Sequence, residues 1–375
     1  MNNKDLRIRA DIDLDAIARN IKSIQKGLRK GVKTCAVIKA DAYGHGAVQV
    51  SQRVKDLVDF FAVATIEEAL ELRNNGIFHP ILILGFTHPA YNEEAIRNDI
   101  RLTVFDLDTA KKISHDAAAL KKTAKIHIKL DTGMSRIGFP VGAETIETIK
   151  KIQALPNIEI EGLFTHLFSA DERSKAAAMK QIMTFGEFFN DLEKAGISIP
   201  IKHCSNSAAA IHLSLANFDM VRLGVAMYGM YPSRYVHQIP LKPALSLKSY
   251  VTMVKTIKAG TSVSYGATWT AQEDTVVATV PVGYADGYMR ILSNRGYVLI
   301  HGKKAPIIGR VCMDQFMVDV SKISKVRQFD EVVLIGKQKE KEITTEEIAE
   351  LAETINYEIT CSLSPRVPRI YHKRG

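Results

Sequence analysis

Residues 34–46 read TCAVIKADAYGHG, a short β-forming run followed at once by Lys39 and then by a glycine-rich turn. A run of this length predicts a buried strand, with the lysine at its carboxyl end. Two readings of Lys39 stay open. It extends into solvent from the rim of the sheet, or it sits in a partly buried place that favours the neutral amine needed for imine chemistry.

Similar runs recur up to about residue 224 and alternate with amphipathic segments that predict helices, for example at 66–74, 108–121 and 177–195. Eight β-α units in roughly 230 residues predict an α/β fold, a (β/α)8 TIM-like barrel. An open doubly wound sheet remains an alternative, because periodicity does not reveal strand order. The predicted strands are 34–38, 60–64, 81–84, 102–105, 125–130, 159–164, 201–203 and 220–223.

The pattern changes after about Pro243 to closely spaced β-rich runs. We therefore predict a barrel domain over 11–243 and a mostly β C-terminal domain over 244–375. Residues 1–10 are predicted to belong to the C-terminal domain. Its only predicted helix is 344–354, which opens with threonine and an acidic first turn. The predicted strands of this domain are 246–254, 275–282, 297–301, 307–313 and 331–335.

Composition indicates an ordinary globular protein, with 46% hydrophobic and 24% charged residues in 375. The formal net charge is +9, but the basic residues are scattered among 41 acidic ones, so we expect no nucleic-acid partner. The four cysteines form no C-x-x-C pair, which argues against a metal site or a redox motif. No stretch approaches the roughly 20 apolar residues of a membrane span, and residues 1–10 lack a secretory core, so we expect no membrane partner and a cytoplasmic location.

Polar residues follow several of the predicted strands, where barrel enzymes place their active sites. Lys129 and Arg136 flank the end of the fifth strand, and His166 follows the sixth. Ser207 follows the seventh and Arg222 lies in the eighth, just before Gly224 and Val225. Taken singly, such residues can have a purely structural role: Ser207 as a helix cap, His166 as a hydrogen-bonded core histidine and Arg136 as a surface charge. Together, a lysine, an arginine and a cradle of small residues for phosphate make a pyridoxal 5'-phosphate site plausible.

The sequence resembles the alanine racemases, fold-type III pyridoxal-phosphate enzymes, along essentially its whole length. The resemblance rests on seven motifs that occur in order, and a chance match to all of them is very improbable. They are VIKADAYGHG (37–46), DTGMSRIG (131–138), NSAAAI (206–211), VRLGVAMYG (221–229), SYGATW (264–269), VGYADGY (282–288) and GRVCMDQ (309–315).

The resemblance implies that Lys39 binds pyridoxal 5'-phosphate covalently and then acts as the base on one face of the substrate α-carbon. Tyr265 of the partner subunit would act on the other face, since racemisation removes a proton from one face and returns it to the opposite one. A phenol is a poor base at pH 7, and the resemblance names His166 and Arg222 as the neighbours that would help it lose its proton. Arg222 would face the pyridine nitrogen and, because a guanidinium keeps its protons, would restrain transamination.

The resemblance also implies a homodimer with shared active sites, alanine as the substrate and a role in supplying D-alanine for peptidoglycan. Arg136 and the backbone amide of Met313 of the partner subunit would hold the substrate carboxylate. Lys129 is carbamylated in some members and then positions Arg136. The cofactor would be held by Tyr43, His166, Ser207, Arg222, Gly224, Val225 and Tyr357, while Tyr284, Arg290, Arg310 and Asp171 would line the path into the site.

Three alternatives remain. One is a broad-specificity or serine racemase of the same family, although those relatives carry a signal peptide or a membrane domain. Another is an amino-acid decarboxylase on the same barrel, against which Arg222 and Tyr265 both argue. The third is a non-catalytic pyridoxal-phosphate carrier, which would need no second domain.

Overall fold

A computed structural model describes residues 5–373, and the chain divides into two compact units. The barrel unit comprises residues 17–42 and 47–242, and the second unit comprises the N-terminal residues up to 16, residues 43–46 and the chain from 243 onward. Residues 11–16, predicted to belong to the barrel, lie in the second unit because strand Ile8–Asp13 pairs there with Leu245–Tyr250 and Arg369–His372. Residues 1–4 and 374–375 of the predicted C-terminal domain lie outside the described residues.

Within the described part of the barrel unit, eight parallel strands follow one another round a nearly closed barrel, which confirms the predicted fold class. The eighth strand pairs with the first. Between the seventh and eighth strands, the backbone N–H of Arg222 donates to the Ser205 carbonyl at 3.1 Å. This strand order excludes the open doubly wound sheet. Barrel strands one to eight are Lys33–Val37, Phe60–Val63, Ile81–Ile83, Ile100–Val104, Ala124–Asp131, Ile158–Phe164, Ile201–His203 and Met220–Leu223.

Helices between these strands bury one apolar face, and three of them, Ile66–Asn74, Leu107–Ala119 and Ser207–His212, directly follow a residue whose side chain caps the helix. In Leu107–Ala119, the Asp106 side chain accepts from the Thr109 N–H at 2.7 Å, and Ala110, Ile113 and Ala117 form the buried face. The α-helices are Leu14–Gln25, Lys39–Gly44, Ala47–Val54, Ile66–Asn74, Asn92–Arg97, Leu107–Ala119, Ala143–Gln153, Ala176–Lys194 and Ser207–His212. No helix in the stretch from 5 to 373 is both long enough and apolar enough to cross a membrane.

The second unit is mostly β, as predicted, but its strand boundaries differ. The run 246–254 forms two strands, because the chain leaves its pairing with Glu331–Gln338 at Val251 and then pairs with Thr275–Val280. The run 307–313 ends its strand at Ile308, since Gly309 has a φ of +74° and a Cβ there would lie 2.6 Å from the Val263 carbonyl oxygen. A second helix, Asn356–Cys361, follows Thr345–Leu351 and was not predicted.

The bounds of the remaining strands complete the second unit. The strands are Ile8–Asp13, Leu245–Tyr250, Met253–Ile257, Ser262–Val263, Trp269–Thr270, Thr275–Val280, Tyr297–Ile300, Lys303–Ile308, Phe316–Asp319, Glu331–Gln338, Lys341–Ile343 and Arg369–His372.

Candidate active site

Lys39 stands at the carboxyl end of barrel strand one and begins a turn of left-handed helix. Ala40, Asp41, Ala42 and Tyr43 all have φ between 50° and 54°. A left-handed helix costs L-residues roughly 1–2 kcal/mol each, so these four residues store about 4–8 kcal/mol of strain. The Glu68 carboxylate helps to hold the turn, since its two oxygens accept from the N–H groups of Ala40 and Ala64, both at 2.7 Å. Lys39 is thus presented by a strained and well-anchored segment.

Arg222 is a buried cation held by neutral acceptors. Its two terminal nitrogens donate to the carbonyls of Thr165, His203 and Cys204 at 2.9, 3.3 and 3.1 Å. They also contact the ring nitrogens His203 Nδ1 at 2.8 Å and His166 Nδ1 at 3.2 Å. Burial lowers the pKa of Arg222. The arrangement keeps one positive charge fixed on the barrel rim, and the Nε–H takes no part in these bonds.

The contact with Arg222 also fixes the proton of His166. Burial and the nearby charges of Arg222, Arg136, Lys129 and Lys39 lower the pKa of His166 well below its usual value, so the ring is neutral. A guanidinium only donates, so Nδ1 accepts from Arg222 and the ring proton lies on Nε2. His166 therefore offers an N–H donor, and the charges that act on it bring Lys39, Lys129, Arg136 and Arg222 into one neighbourhood.

Lys129 is buried at the end of barrel strand five. Its Nζ donates to the Leu130 carbonyl at 2.6 Å and lies 5.4 Å from the centre of the Phe164 ring. Burial, assisted by the Arg222 charge, lowers the pKa of Lys129 to about 8. About a tenth of the Lys129 amine is therefore neutral at pH 7, far more than for an exposed lysine. Arg136, in the loop that follows, is exposed.

The predicted phosphate cradle forms where two short helices begin. Ser207 opens helix Ser207–His212, and its Oγ accepts from the N–H of Gly224 at 2.9 Å and of Ala226 at 3.4 Å. Val225 begins the 3₁₀ turn Val225–Tyr228. The backbone N–H groups of Gly224 and Ala226 thus converge on one oxygen atom, a geometry that suits an anion.

The other predicted site residues lie in the second unit, apart from Asp171 in the barrel unit. The rings of Tyr43 and Tyr357 have centroids 6.0 Å apart, and burial raises the pKa of Tyr43, which keeps its phenol neutral. Tyr265 is 72% exposed, in the turn Tyr265–Ala267, which follows Ser264, whose Oγ donates to the Arg310 carbonyl at 2.8 Å.

Met313 and Tyr284 lie on adjacent loops of the second unit. The N–H groups of Tyr284 and Ala285 donate to the carbonyls of Cys312 and Met313, both at 3.1 Å. Met313 is 52% exposed. Arg290 is exposed and begins the short turn Arg290–Leu292. Ser293, directly after this turn, accepts a hydrogen bond at its Oγ from the Val311 N–H at 3.0 Å. Among residues 5–373 no cluster of three or more histidine, cysteine or carboxylate side chains is arranged to hold a metal ion.

Comparison with known proteins accounts for both units. The model of the alanine racemase N-terminal domain matches residues 12–232, and that of the alanine racemase C-terminal domain matches residues 244–371. The chain belongs to the alanine racemase family. The family membership inferred from the seven motifs is confirmed, and with it the expectation of an enzyme.

Alanine racemases of known sequence and structure match over nearly the full length. The enzyme of Methanococcus maripaludis is 48% identical over 365 residues, which is 96% of this chain and 98% of the relative. The alanine racemase of Clostridium difficile 630, whose structure is solved, is 43% identical, with a TM-score of 0.94 over 97% of this chain and 95% of that one. The Bacillus anthracis alanine racemase with bound L-Ala-P is 38% identical, with a TM-score of 0.93 over 99% and 96% of the two chains.

Three buried polar residues behind Arg222 were not predicted as parts of this alanine racemase site. His203 accepts a hydrogen bond from Arg222. His203 is in turn hydrogen-bonded to His127, and His127 to Glu161. The available signal was polar residues inside strands 124–131, 158–164 and 201–203, which otherwise have the pattern of buried β-strands.

Proposed function

We propose that this chain catalyses the pyridoxal-phosphate-dependent interconversion of L-alanine and D-alanine by a two-base mechanism. The observation that carries the proposal is the buried Arg222, held by neutral acceptors and grouped with Lys39 through His166. A fixed cation beside a strand-end lysine suits a cofactor with a basic ring nitrogen.

The donor set of the barrel unit fits this cofactor. Lys39 would supply an amine for its aldehyde, and Ser207 with the amides of Gly224 and Ala226 would supply donors for its phosphate. Gly224 and Val225 allow the backbone to approach an anion. Tyr43 and Tyr357 would add phenolic donors. When bound, the cofactor would delocalise the negative charge that develops at the substrate α-carbon.

Arg222 sets the strength of that delocalisation. Since a guanidinium does not readily release a proton, a ring nitrogen that accepts from Arg222 stays unprotonated. By keeping its protons, Arg222 would make the bound cofactor a weaker electron sink and so disfavour protonation away from the substrate α-carbon. Arg222 thereby favours racemisation over transamination.

Two bases act on opposite faces of the α-carbon. The Lys39 amine removes or returns the proton on one face, and the phenol of Tyr265 of the partner subunit does so on the other. The 72% exposure of Tyr265 is what a residue donated to another subunit requires. The Nε2–H of His166 would stabilise that phenol as it loses its proton. A homodimer with shared sites follows from this arrangement.

Arg136 and the backbone amide of Met313 of the partner subunit bind the substrate carboxylate. Alanine as the substrate is supported by relatives named alanine racemase, one of them solved with bound L-Ala-P. The neutral amine of Lys129 adds to CO₂ with loss of a proton, and the resulting carbamate pairs with Arg136. Tyr284, Arg290, Arg310 and Asp171 line the path into the site. The product serves peptidoglycan synthesis in the cytoplasm.

The test is to incubate the protein with pyridoxal 5'-phosphate and L-alanine in deuterium oxide. We expect α-deuterated alanine of both hands. Lys39→Ala should abolish exchange, whereas Lys33→Ala, which changes an exposed lysine at the opposite end of the same strand, should not. Absence of exchange by the unmodified protein would refute the racemase proposal and favour the carrier alternative.

A further inference from the structure

A chain of hydrogen bonds leads from Arg222 into the interior of the barrel. His203 Nδ1 lies 2.8 Å from Arg222 Nη1, and His203 Nε2 lies 2.9 Å from His127 Nδ1. His127 Nε2 lies 3.1 Å from Glu161 Oε2, which also accepts from Arg101 Nε at 3.0 Å. Arg101 in turn pairs with Asp99, whose side chain is 65% exposed. Strands eight, seven, five, six and four are thus linked through their side chains.

The two ends of this chain allow only one arrangement of its protons. Arg222 can only donate, so His203 Nδ1 must accept, and the His203 proton lies on Nε2. That proton is donated to His127 Nδ1, so the His127 proton also lies on Nε2. It is donated to Glu161, which as a carboxylate can only accept. The order of donors cannot be reversed unless an end group changes its charge, so the chain does not conduct protons.

The surroundings keep both histidines neutral and Glu161 ionised. Burial lowers the pKa of His127 and of His203, and the Arg222 and Lys129 charges add to the effect at His203. Burial opposes ionisation of Glu161, but hydrogen bonds from His127 and Arg101 bring the pKa of Glu161 to about 2. Lys125 Nζ, at 3.9 Å from Oε1, also favours the carboxylate.

The barrel is shaped to hold the rings in this place. The His203 ring stacks on Phe164 with centroids 4.8 Å apart and planes 3° apart. A Cβ on Gly162 would lie 2.2 Å from His127 Nδ1, so only a glycine leaves room for the imidazole. His127 and His203 have no exposed surface.

We propose that Glu161 and His127 are positioning residues that lock His203 in the tautomer able to accept from Arg222. By fixing His203, they hold the Arg222 guanidinium in the orientation that it offers to the cofactor ring. The effect on the reaction rests on the proposed function, whereas the tautomer lock is a property of the protein alone.

The test measures the histidine ring nitrogens by long-range ¹H–¹⁵N correlation in ¹⁵N-histidine-labelled protein carrying pyridoxal 5'-phosphate. In the unmodified enzyme we expect His203 and His127 to show the Nε2–H form without titration between about pH 6 and 9. A His203 that carries its proton on Nδ1, or that titrates in this range, would overturn the proposal.

Two variants break the lock at different points. His127→Phe removes the acceptor for His203, and Glu161→Gln supplies an amide that can donate as well as accept, so in either variant only the contact with Arg222 still favours the accepting Nδ1 of His203. In each we expect the His203 signal to become a mixture of tautomers and kcat to fall about tenfold, the equivalent of one lost buried hydrogen bond, with KM little changed.

Asp286→Asn is the matched control, since Asp286 is a buried carboxylate bound by Arg7 at 2.5 and 2.8 Å in the second unit. It should leave the His203 signal as in the unmodified enzyme. An unchanged His203 signal in both barrel variants overturns the lock, whatever happens to activity. If the unmodified enzyme does not racemise alanine, the proposed function is refuted. The spectra would then decide by themselves whether the tautomer of His203 is locked.

Discussion

Replacing Arg222 with glutamine separates what this residue does for the fold from what it does for the reaction. In the described structure Arg222 satisfies five acceptors, three of them buried backbone carbonyls. A glutamine amide has two N–H groups and can serve at most two of these acceptors. Three lost bonds at roughly 1 kcal/mol each, less the smaller cost of burying a neutral amide, give a loss of about 2 kcal/mol.

Urea unfolding measures this loss. With a slope of about 3 kcal/mol per molar, the midpoint should fall by roughly 0.7 M. Arg136→Gln is the matched control, because Arg136 is exposed and its loss should leave the midpoint unchanged. On our proposal the two variants also differ in kinetics: Arg222→Gln should lower kcat and raise the ratio of pyruvate to racemised alanine, whereas Arg136→Gln should chiefly raise KM. Equal midpoints for the two variants would refute the energetic argument, and an unchanged pyruvate ratio in Arg222→Gln would refute the proposed role of the charge.

Three further changes test other parts of the site. Tyr265→Phe should lower the rate of racemisation at least 100-fold, a magnitude typical of a lost general base. Exchange of the α-proton should persist for the enantiomer on which Lys39 acts. An equal loss of α-proton exchange for both enantiomers in deuterium oxide would contradict the two-base scheme. In CO₂-free buffer, Lys129→Met should stabilise the protein by about 3 kcal/mol at pH 7, since the folded-state pKa of Lys129 is about 8 against about 10.4 when unfolded. The unfolded state binds more protons between these values, so the gain should shrink as pH rises from 8 to 10.4, and a gain independent of pH would contradict it. Gly162→Ala should displace His127 and lower the unfolding free energy by about 1–3 kcal/mol, with the same change in the His203 signal as His127→Phe; an unaltered signal would show that the barrel accommodates the methyl group.

The barrel could be predicted because its strands carry their signal locally. Each strand is a short apolar run, and several of the runs are followed by a polar residue at the rim, such as Lys39 or His166. The structure keeps all eight runs as strands within the described residues, and the predicted helix 66–74 matches Ile66–Asn74. Rim residues follow from this pattern because parallel strands bring their carboxyl ends to one side.

The second unit was predicted less well because its strands are set by distant partners. Strand Ile8–Asp13 lies between Leu245–Tyr250 and Arg369–His372, more than 200 residues away along the chain. The left-handed turn after Lys39 is also invisible in the sequence, since alanine and tyrosine ordinarily avoid positive φ. Part of its stability comes from a distant residue, Glu68, on the next helix but one.

The chain of side chains behind Arg222 has a cost that the fold alone does not require. The interior of such a barrel is usually filled by branched aliphatic side chains, and replacing a buried ion pair with apolar groups of similar volume is often neutral or stabilising. Here Arg101, His127, Glu161 and His203 occupy that interior, and the ring nitrogens of the two histidines are bonded only to their neighbours in the chain. Removing one member leaves a buried charge or donor unpaired, so the chain must be present as a whole. Since aliphatic residues would hold the strands together equally well, the function of the chain lies at its end, where Arg222 needs a neutral acceptor that keeps one tautomer.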